Sequence, residues 1–196
     1  MYFGHKIIHL VVLLTVLLFT HTTAASVRSE QIIERGELNV CYWPDYFAIS
    51  YKNPRTGRLE GIDIDMAREL AVSMGVKLTF VESSFSNLIE NLANNACDIA
   101  MHGIGIRENR KPYMTFSTPY LVSGIYAVGV KDNQYIASWD DIDKHGHVVV
   151  VQQGTFMEPV IKRYIKNAQV TVVDSFKARE QEVLSGRADV FMTDYP

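Results

Sequence analysis

Cysteine is scarce in this chain: of 196 residues only Cys41 and Cys97 carry a thiol. Two thiols, with six histidines that show no ligand spacing around them, exclude a cysteine–histidine metal site. Basic runs are missing too, and with a net charge of −3 this argues against nucleic acid as a partner. No apolar stretch reaches the roughly 20 residues that a membrane-spanning helix needs. The longest, IIHLVVLLTVLLF at 7–19, is interrupted by His9 and Thr15. It follows Lys6 and precedes HTTAA, where Thr23 and Ala25 fit the −3 and −1 positions of a cut before Ser26. Residues 1–25 therefore read as a signal peptide, with an uncleaved anchor as the alternative, and the mature chain as exported. No cysteine lies near the cut to carry a lipid.

What is present is ordinary globular composition, 47% hydrophobic and 21% charged, in a chain long enough to bury a core. After a short helix at 31–36 the pattern alternates. ELNVCYW (37–43) is a strand, and YKNPRTGRLEG (51–61) a loop and hairpin turn punctuated by Pro54, Gly57 and Gly61. A helix over 63–74 places Met66, Leu70 and Met74 on one face and stops at Gly75. VKLTFVE (76–82) is the next strand. Ser86 is positioned to cap a helix burying Leu88, Ile89, Leu92 and Ala93, and CDIAM (97–101) is a continuous apolar strand. The order β-α-β-α-β implies a parallel sheet with helices on both faces.

The theme then repeats. GIYAVGV (124–130) is a strand, the segment after it a polar connection, and HVVVVQQGT (147–155) a very apolar strand. A helix with Met157, Val160, Ile161, Tyr164 and Ile165 on one face follows. AQVTVVD (168–174) is a strand, Ser175 caps another helix closed by Gly186, and ADVFMTD (188–194) is the last strand. The chain reads as two α/β lobes, 26–127 and 128–196, with a cleft between them. It also reads as truncated, because so apolar a strand left as a sheet edge should not finish a protein. On the two cysteines, each on a predicted strand, an oxidising compartment would permit a bridge. The preferred reading is a pair of buried small hydrophobes.

Ligands of such sheets bind beyond the carboxyl ends of the strands. Polar groups collect at those ends: YWPDY (42–46), HGIGIR (102–107), Gly154-Thr155 and Asp194. A free amino acid needs a cation and N–H donors for its carboxylate, and an acceptor for its ammonium. Arg110 is able to grip a carboxylate through two parallel hydrogen bonds. Gly103 and Gly105 let backbone approach the same oxygens. Asp194, in the other lobe, suits the ammonium, and Tyr46 and Phe85 supply apolar walls. A ligand bearing both charges would hold the lobes shut.

Four blocks, taken in order, resemble a known family: GELNVCYWPDYFAISYKNPRTGRLEGIDIDMARELA, LIENLANNACDIAMHGIGIRENRKPYMTFSTPY, VVVVQQGT and SGRADVFMTDYP. They look like the signatures of the family 3 extracellular solute-binding proteins, the amino-acid receptors of ABC importers. The resemblance implies the type II periplasmic-binding-protein fold, a small-molecule amino acid or related carboxylate as ligand, and an inner-membrane ABC permease as partner. It also implies a monomer without cofactor. Residue by residue, it makes Arg110 the carboxylate-binding arginine, Gly103 and Gly105 main-chain contacts, and Tyr46 the stacking aromatic. Phe85 matches the aromatic before the second helix, Thr155 the second-lobe carboxylate contact, and Asp194 the ammonium-binding aspartate.

Two departures bear on the ligand. Gly105 replaces a frequent Ser or Thr, which keeps the N–H and loses a hydroxyl. Trp43 stands where receptors for polar or cationic amino acids tend to carry an acid, so a cationic ligand is disfavoured and an apolar or aromatic one favoured. The chain also resembles the periplasmic cyclohexadienyl dehydratases, which act on prephenate or arogenate and need a proton donor beside the leaving hydroxyl. Their acidic position after Gly-Thr falls at Met157, with Glu158 one place further and turned about 100° away.

Overall fold

A computed structural model describes residues 24–194. The leader reading lies outside the described residues except for Ala24 and Ala25, which open the first helix. Among those described, no helix is long and apolar enough to cross a membrane. The first helix, α1 (Ala24–Arg35), is longer than the segment 31–36 expected from the sequence. Ile32 is buried in the core, and Arg35 and Arg28 both reach the nearly buried carboxylate of Asp98.

The first sheet is parallel, in the order β5-β1-β6, from β1 (Glu37–Tyr42), β5 (Lys77–Glu82) and β6 (Ile99–Ala100). Between β1 and β5 lie a small antiparallel sheet, β2 (Asp45–Tyr46), β3 (Ser50–Lys52) and β4 (Leu59–Glu60), and the helix α2 (Ile62–Met74). The buried stripe of α2 differs from expectation. Asp63, Ile64, Ala67 and Ala71 face the core, Met66 is exposed, and Leu70 and Met74 only flank it. Small alanines bring the helix close to the sheet, so position outweighs side-chain size. Likewise α3 (Leu88–Ala93) buries Leu88 fully, leaves Ala93 exposed, and has Asn87 rather than Ser86 at its N-cap position, without a side-chain capping bond. The Asn87 N–H donates to Ser84 Oγ at 3.1 Å.

The second sheet has the order β7-β10-β8-β9, with β7 (Tyr126–Gly129) antiparallel to β10 and the other three parallel. β8 (Val148–Gln152) and β9 (Gln169–Val173) flank α5 (Met157–Tyr164), and α6 (Phe176–Leu184) leads to β10 (Val190–Thr193). The connection after β7, expected to be irregular, holds a short helix α4 (Trp139–Ile142) inside a Ser138/Asp141 capping box. In α5 only Met157 and Ile161 are buried, with Ile165 just beyond, while Val160 and Tyr164 face outward. Ser175 caps α6 as expected, accepting from the Ala178 N–H. The last strand is not an edge: β10 is paired on both sides, by β7 and β8.

The cysteines correct the sequence reading. Cys41 and Cys97 form a disulfide across Cα atoms 5.5 Å apart, tying β1 to the segment that enters β6. Both are fully buried, which is why burial and bridging could not be told apart from sequence. Behind the bridge sits His102, also fully buried, with Nδ1 3.4 Å from the Cys41 carbonyl oxygen. Burial first, and then the Arg110 charge, push its pKa down to about 4 against the pull of that carbonyl.

Two outcomes follow from this arrangement. Converting both cysteines to alanine is expected to remove about 2–4 kcal/mol of unfolding free energy, because the bridge closes a long loop; urea denaturation with an unchanged midpoint would speak against it. An unfolded His102 titrates near 6.5, so between that pH and about 4 the unfolded chain binds more protons than the folded one. Stability contributed by neutral His102 is therefore full above pH 6.5 and lost as pH falls towards 4. His102→Gln is expected to flatten that acid limb in urea midpoints collected across the window.

Candidate functional site

The carboxyl ends of both sheets meet, and all seven residues singled out from sequence line one small cavity there. Tyr46, Phe85, Gly103, Gly105 and Arg110 come from the first half, Thr155 and Asp194 from the second, and Phe156, Met157 and Phe176 complete the wall. The cavity measures only about 10 Å³, roughly the room for one water. In this arrangement the cavity admits nothing larger than a water. A wider cleft of about 510 Å³ adjoins it, sharing Tyr46, Gly103, Gly105, Phe156 and Asp194 and walled by Ile104, Phe116, Tyr120 and Val160.

Arg110 is 3% exposed. Its guanidinium donates to the Gly105 carbonyl at 2.8 Å and, across the two halves, to the Gly154 carbonyl at 2.7 Å. These partners are neutral. Burial, and then repulsion from Arg107, lower the Arg110 pKa to about 10, still charged at neutral pH. Arg107 bridges the halves the same way, donating to the Thr155 carbonyl at 3.0 Å. A buried cation satisfied only by carbonyl dipoles is a site prepared for an anion.

The opposite pole is Asp194. The Tyr46 hydroxyl donates to its carboxylate from the first half. Burial, then the Asp194 charge, raise the Tyr46 pKa far above the phenol range, which leaves this hydroxyl a donor. Thr155 points less directly at a ligand than expected, since its hydroxyl donates to the Gln152 carbonyl at 2.8 Å.

Two glycines are dictated by close approach. Gly103 has φ 64°, and a Cβ there would meet Tyr46 Cε1 at 2.7 Å. Gly154, at φ 77°, lies against the Phe85 backbone, where a Cβ would come within 2.7 Å of the carbonyl carbon. The Gly103 loop is held from behind by Asp63, a fully buried carboxylate that accepts the Gly103 N–H at 2.7 Å and the Tyr120 hydroxyl at 2.6 Å. Burial raises the Asp63 pKa, and those two hydrogen bonds offset only part of the rise.

Sequence reasoning missed Asp63, Phe176 and Arg179. Asp63 entered only as the start of the helix over 63–74; an acid in the first turn of an amphipathic helix gives no sign of which way it faces. Phe176 directly follows the Ser175 cap beyond the end of β9, so the strand-end rule could have found it. Arg179 is 4% exposed, donates to the Met192 carbonyl at 2.9 Å and stacks between Phe176 and Phe191, 4.3 and 4.6 Å from the ring centroids. Burial lowers its pKa, while Glu180, Asp194 and Tyr46 pull the other way.

Four buried polar atoms lack a hydrogen-bond partner among the described residues: Trp43 Nε1, His102 Nε2, Gln152 Oε1 and Arg179 Nε. Three of these residues sit at carboxyl ends of parallel strands. A buried polar group left without any partner costs about 1–3 kcal/mol, which makes these four atoms candidates for bonds to water or to a bound molecule. Among the described residues no group of acids, histidines or cysteines could hold a metal ion.

Known proteins resemble this chain in sequence and in fold. A cyclohexadienyl dehydratase of Pseudomonas aeruginosa is 34% identical over 85% of this chain and 62% of its own length. The L-cystine-binding protein TcyJ of Escherichia coli K12 is 28% identical over 84% of this chain and 61% of its own. The chain thus spans a little under two thirds of these curated relatives. Among solved structures, the ancestral amino acid-binding protein AncCDT-1, a precursor of cyclohexadienyl dehydratase, superposes with a TM-score of 0.80 at 36% identity, over 85% of this chain and 73% of that one. Holo ArgBP from T. maritima gives 0.77 at 31% identity, over 84% and 72%. These neighbours share the type II periplasmic amino-acid-binding fold expected from the sequence. The model of the bacterial extracellular solute-binding proteins, family 3, matches residues 38–185, and the chain belongs to that family.

Proposed function

We propose that the protein is an exported receptor that captures a small amino acid as a zwitterion between lobes 26–127 and 128–196 and hands it to an ABC permease. Residues 1–25 serve as the signal peptide, and the periplasm is the working compartment. The observation that carries this reading is the buried Arg110 guanidinium facing neutral carbonyls, in the same cavity as Asp194 from the other half. On opening, Arg110 gives up the Gly154 carbonyl and Asp194 gives up the Tyr46 hydroxyl. The ligand's carboxylate takes the first place and its ammonium the second, so closure and occupancy are linked. Gly103 and Gly105 offer main-chain N–H groups, Thr155 marks the second-lobe end of the carboxylate subsite, and Tyr46 and Phe85 pack on the rest of the ligand.

The dehydratase relative supports a second reading, an elimination of water and carbon dioxide from prephenate or arogenate. That reaction needs a carboxylic acid that holds its proton until the leaving hydroxyl takes it. Met157 is packed in the core of the second half, and Glu158 is the nearest acid in sequence. Burial works to raise the Glu158 pKa but is outweighed by bonds from Lys162 Nζ at 2.7 Å and the Gly154 N–H at 2.8 Å, so the net shift is downward. An ionised carboxylate tied to its own loop is a poor proton donor, which favours the receptor.

A thermal-shift screen of the purified protein against the amino acids, prephenate and arogenate, with assays for phenylpyruvate from prephenate and phenylalanine from arogenate, separates the two. Stabilisation by an amino acid without turnover is the expected result, and Arg110→Ala is expected to cost about 2–5 kcal/mol of that binding. Formation of either product would overturn the receptor reading in favour of the enzyme.

A further inference from the structure

We infer, resting on the amino-acid-binding reading above, that Arg107 is a second anion subsite, and that the ligand is an amino acid whose side chain ends in a carboxylate. Of the residues that line the small cavity and the wide cleft, the charged ones are Arg107, Arg110 and Asp194. A plain zwitterion answers two of them, its carboxylate at Arg110 and its ammonium at Asp194. The Arg107 charge is then left over, in a cleft walled mostly by hydrocarbon. A ligand with one further negative charge balances the set.

The acids around Arg107 are committed elsewhere. Glu108 is exposed and pairs with Lys111. Glu158 feels the Arg107 charge, but its carboxylate is bonded to Lys162 Nζ and to the Gly154 N–H. Asp63 lies behind the Gly103 loop, spent on the Gly103 N–H and the Tyr120 hydroxyl. What Arg107 does have is the Thr155 carbonyl at 3.0 Å, next in sequence to the Gly154 carbonyl that Arg110 takes at 2.7 Å. Two guanidiniums thus share two consecutive carbonyls. Burial first, and then this neighbouring charge, lower the Arg110 pKa, a sign that the two cations feel each other. One anionic group close to both relieves the repulsion in part, and a second relieves it further.

Arg107 is also within reach. Unlike Arg110 it is only partly buried, and it lines the wide cleft of about 510 Å³. That cleft shares Tyr46, Gly103, Gly105, Phe156 and Asp194 with the small cavity, so a ligand held at Arg110 and Asp194 has the cleft beside it for its side chain. The Thr155 carbonyl takes one of several N–H donors that a guanidinium offers, and the rest suit a carboxylate. Ile104, Phe116 and Val160 give methylene groups apolar walls on the way. The hydroxyls of Tyr46 and Tyr120, which also line the cleft, already donate to Asp194 and Asp63. An ammonium or guanidinium side chain would meet Arg107 as a like charge, and a purely apolar one would leave it unanswered.

The test is calorimetric titration of wild type and Arg107→Gln with each of the 20 amino acids. L-Glutamate or L-aspartate is expected to bind tightest, about tenfold or more ahead of its own amide, L-glutamine or L-asparagine, as one charge-assisted hydrogen bond allows. Arg107→Gln keeps a donor for the Thr155 carbonyl and removes the charge, and is expected to abolish the preference for acid over amide. A role confined to clasping the halves would instead weaken acid and amide alike. A neutral or cationic amino acid ranking first, or an acid preference that survives Arg107→Gln, would overturn the inference, while Arg110-dependent binding of that amino acid leaves the receptor reading standing. Absence of binding by any amino acid to wild type sinks both. Should Arg107→Gln fail to fold, the wild-type ranking decides alone.

Discussion

The Arg110 guanidinium is the constraint around which the cleft is organised. A full positive charge is held out of water with only two carbonyl oxygens against it, one from its own loop and one from the opposite half. Dipoles solvate a cation less well than a carboxylate does, so the Arg110 guanidinium keeps a preference for an anion over its two carbonyl partners. Among the described residues, side-chain hydrogen bonds span the cleft from Arg110 to Gly154, Arg107 to Thr155, and Tyr46 to Asp194. In the proposed reading a zwitterion exchanges two of them, at Arg110 and at Asp194, rather than adding to them. The free energy available for closure is thus the difference between a carbonyl and a carboxylate at Arg110, together with that between a phenol and an ammonium at Asp194.

Such an exchange works only if the groups stay where they are while the halves move. The first half is braced for this. The Cys41–Cys97 disulfide locks β1 to the entry of β6, Asp98 accepts the Asn39 N–H and the Arg35 guanidinium nearby, and Asp63 holds the Gly103 loop from behind. Gly103 then lets the Tyr46 ring come close against the backbone. The cost of burying Asp63 is offset in part by its two donors, Gly103 and Tyr120, so the loop and segment 116–123 share one anchor.

Much of the fold was legible in the sequence because apolar runs and glycine stops mark strands and helix ends without reference to the rest of the chain. The parallel β1–β5–β6 sheet, the Ser175 cap and the convergence of all seven site residues on one cavity follow from that local code. Where the reading failed, the deciding factor lay elsewhere in space. Ala67 and Ala71, not Met66, face the sheet because helix-to-sheet distance favours small residues, which periodicity alone does not report. The bridge between Cys41 and Cys97 depends on β1 neighbouring β6, a pairing 56 residues apart in sequence. Phe176 and Arg179 gain their place only through the packing of α6 across the cleft.

The most direct test of the central claim compares two ligands that differ only at the group Arg110 would bind. Calorimetry with the tightest-binding amino acid and with its α-carboxamide isolates the carboxylate charge from shape. The carboxamide is expected to bind more weakly by about 2–5 kcal/mol, 30-fold or more. Equal affinity for the two would contradict a site built on that buried guanidinium.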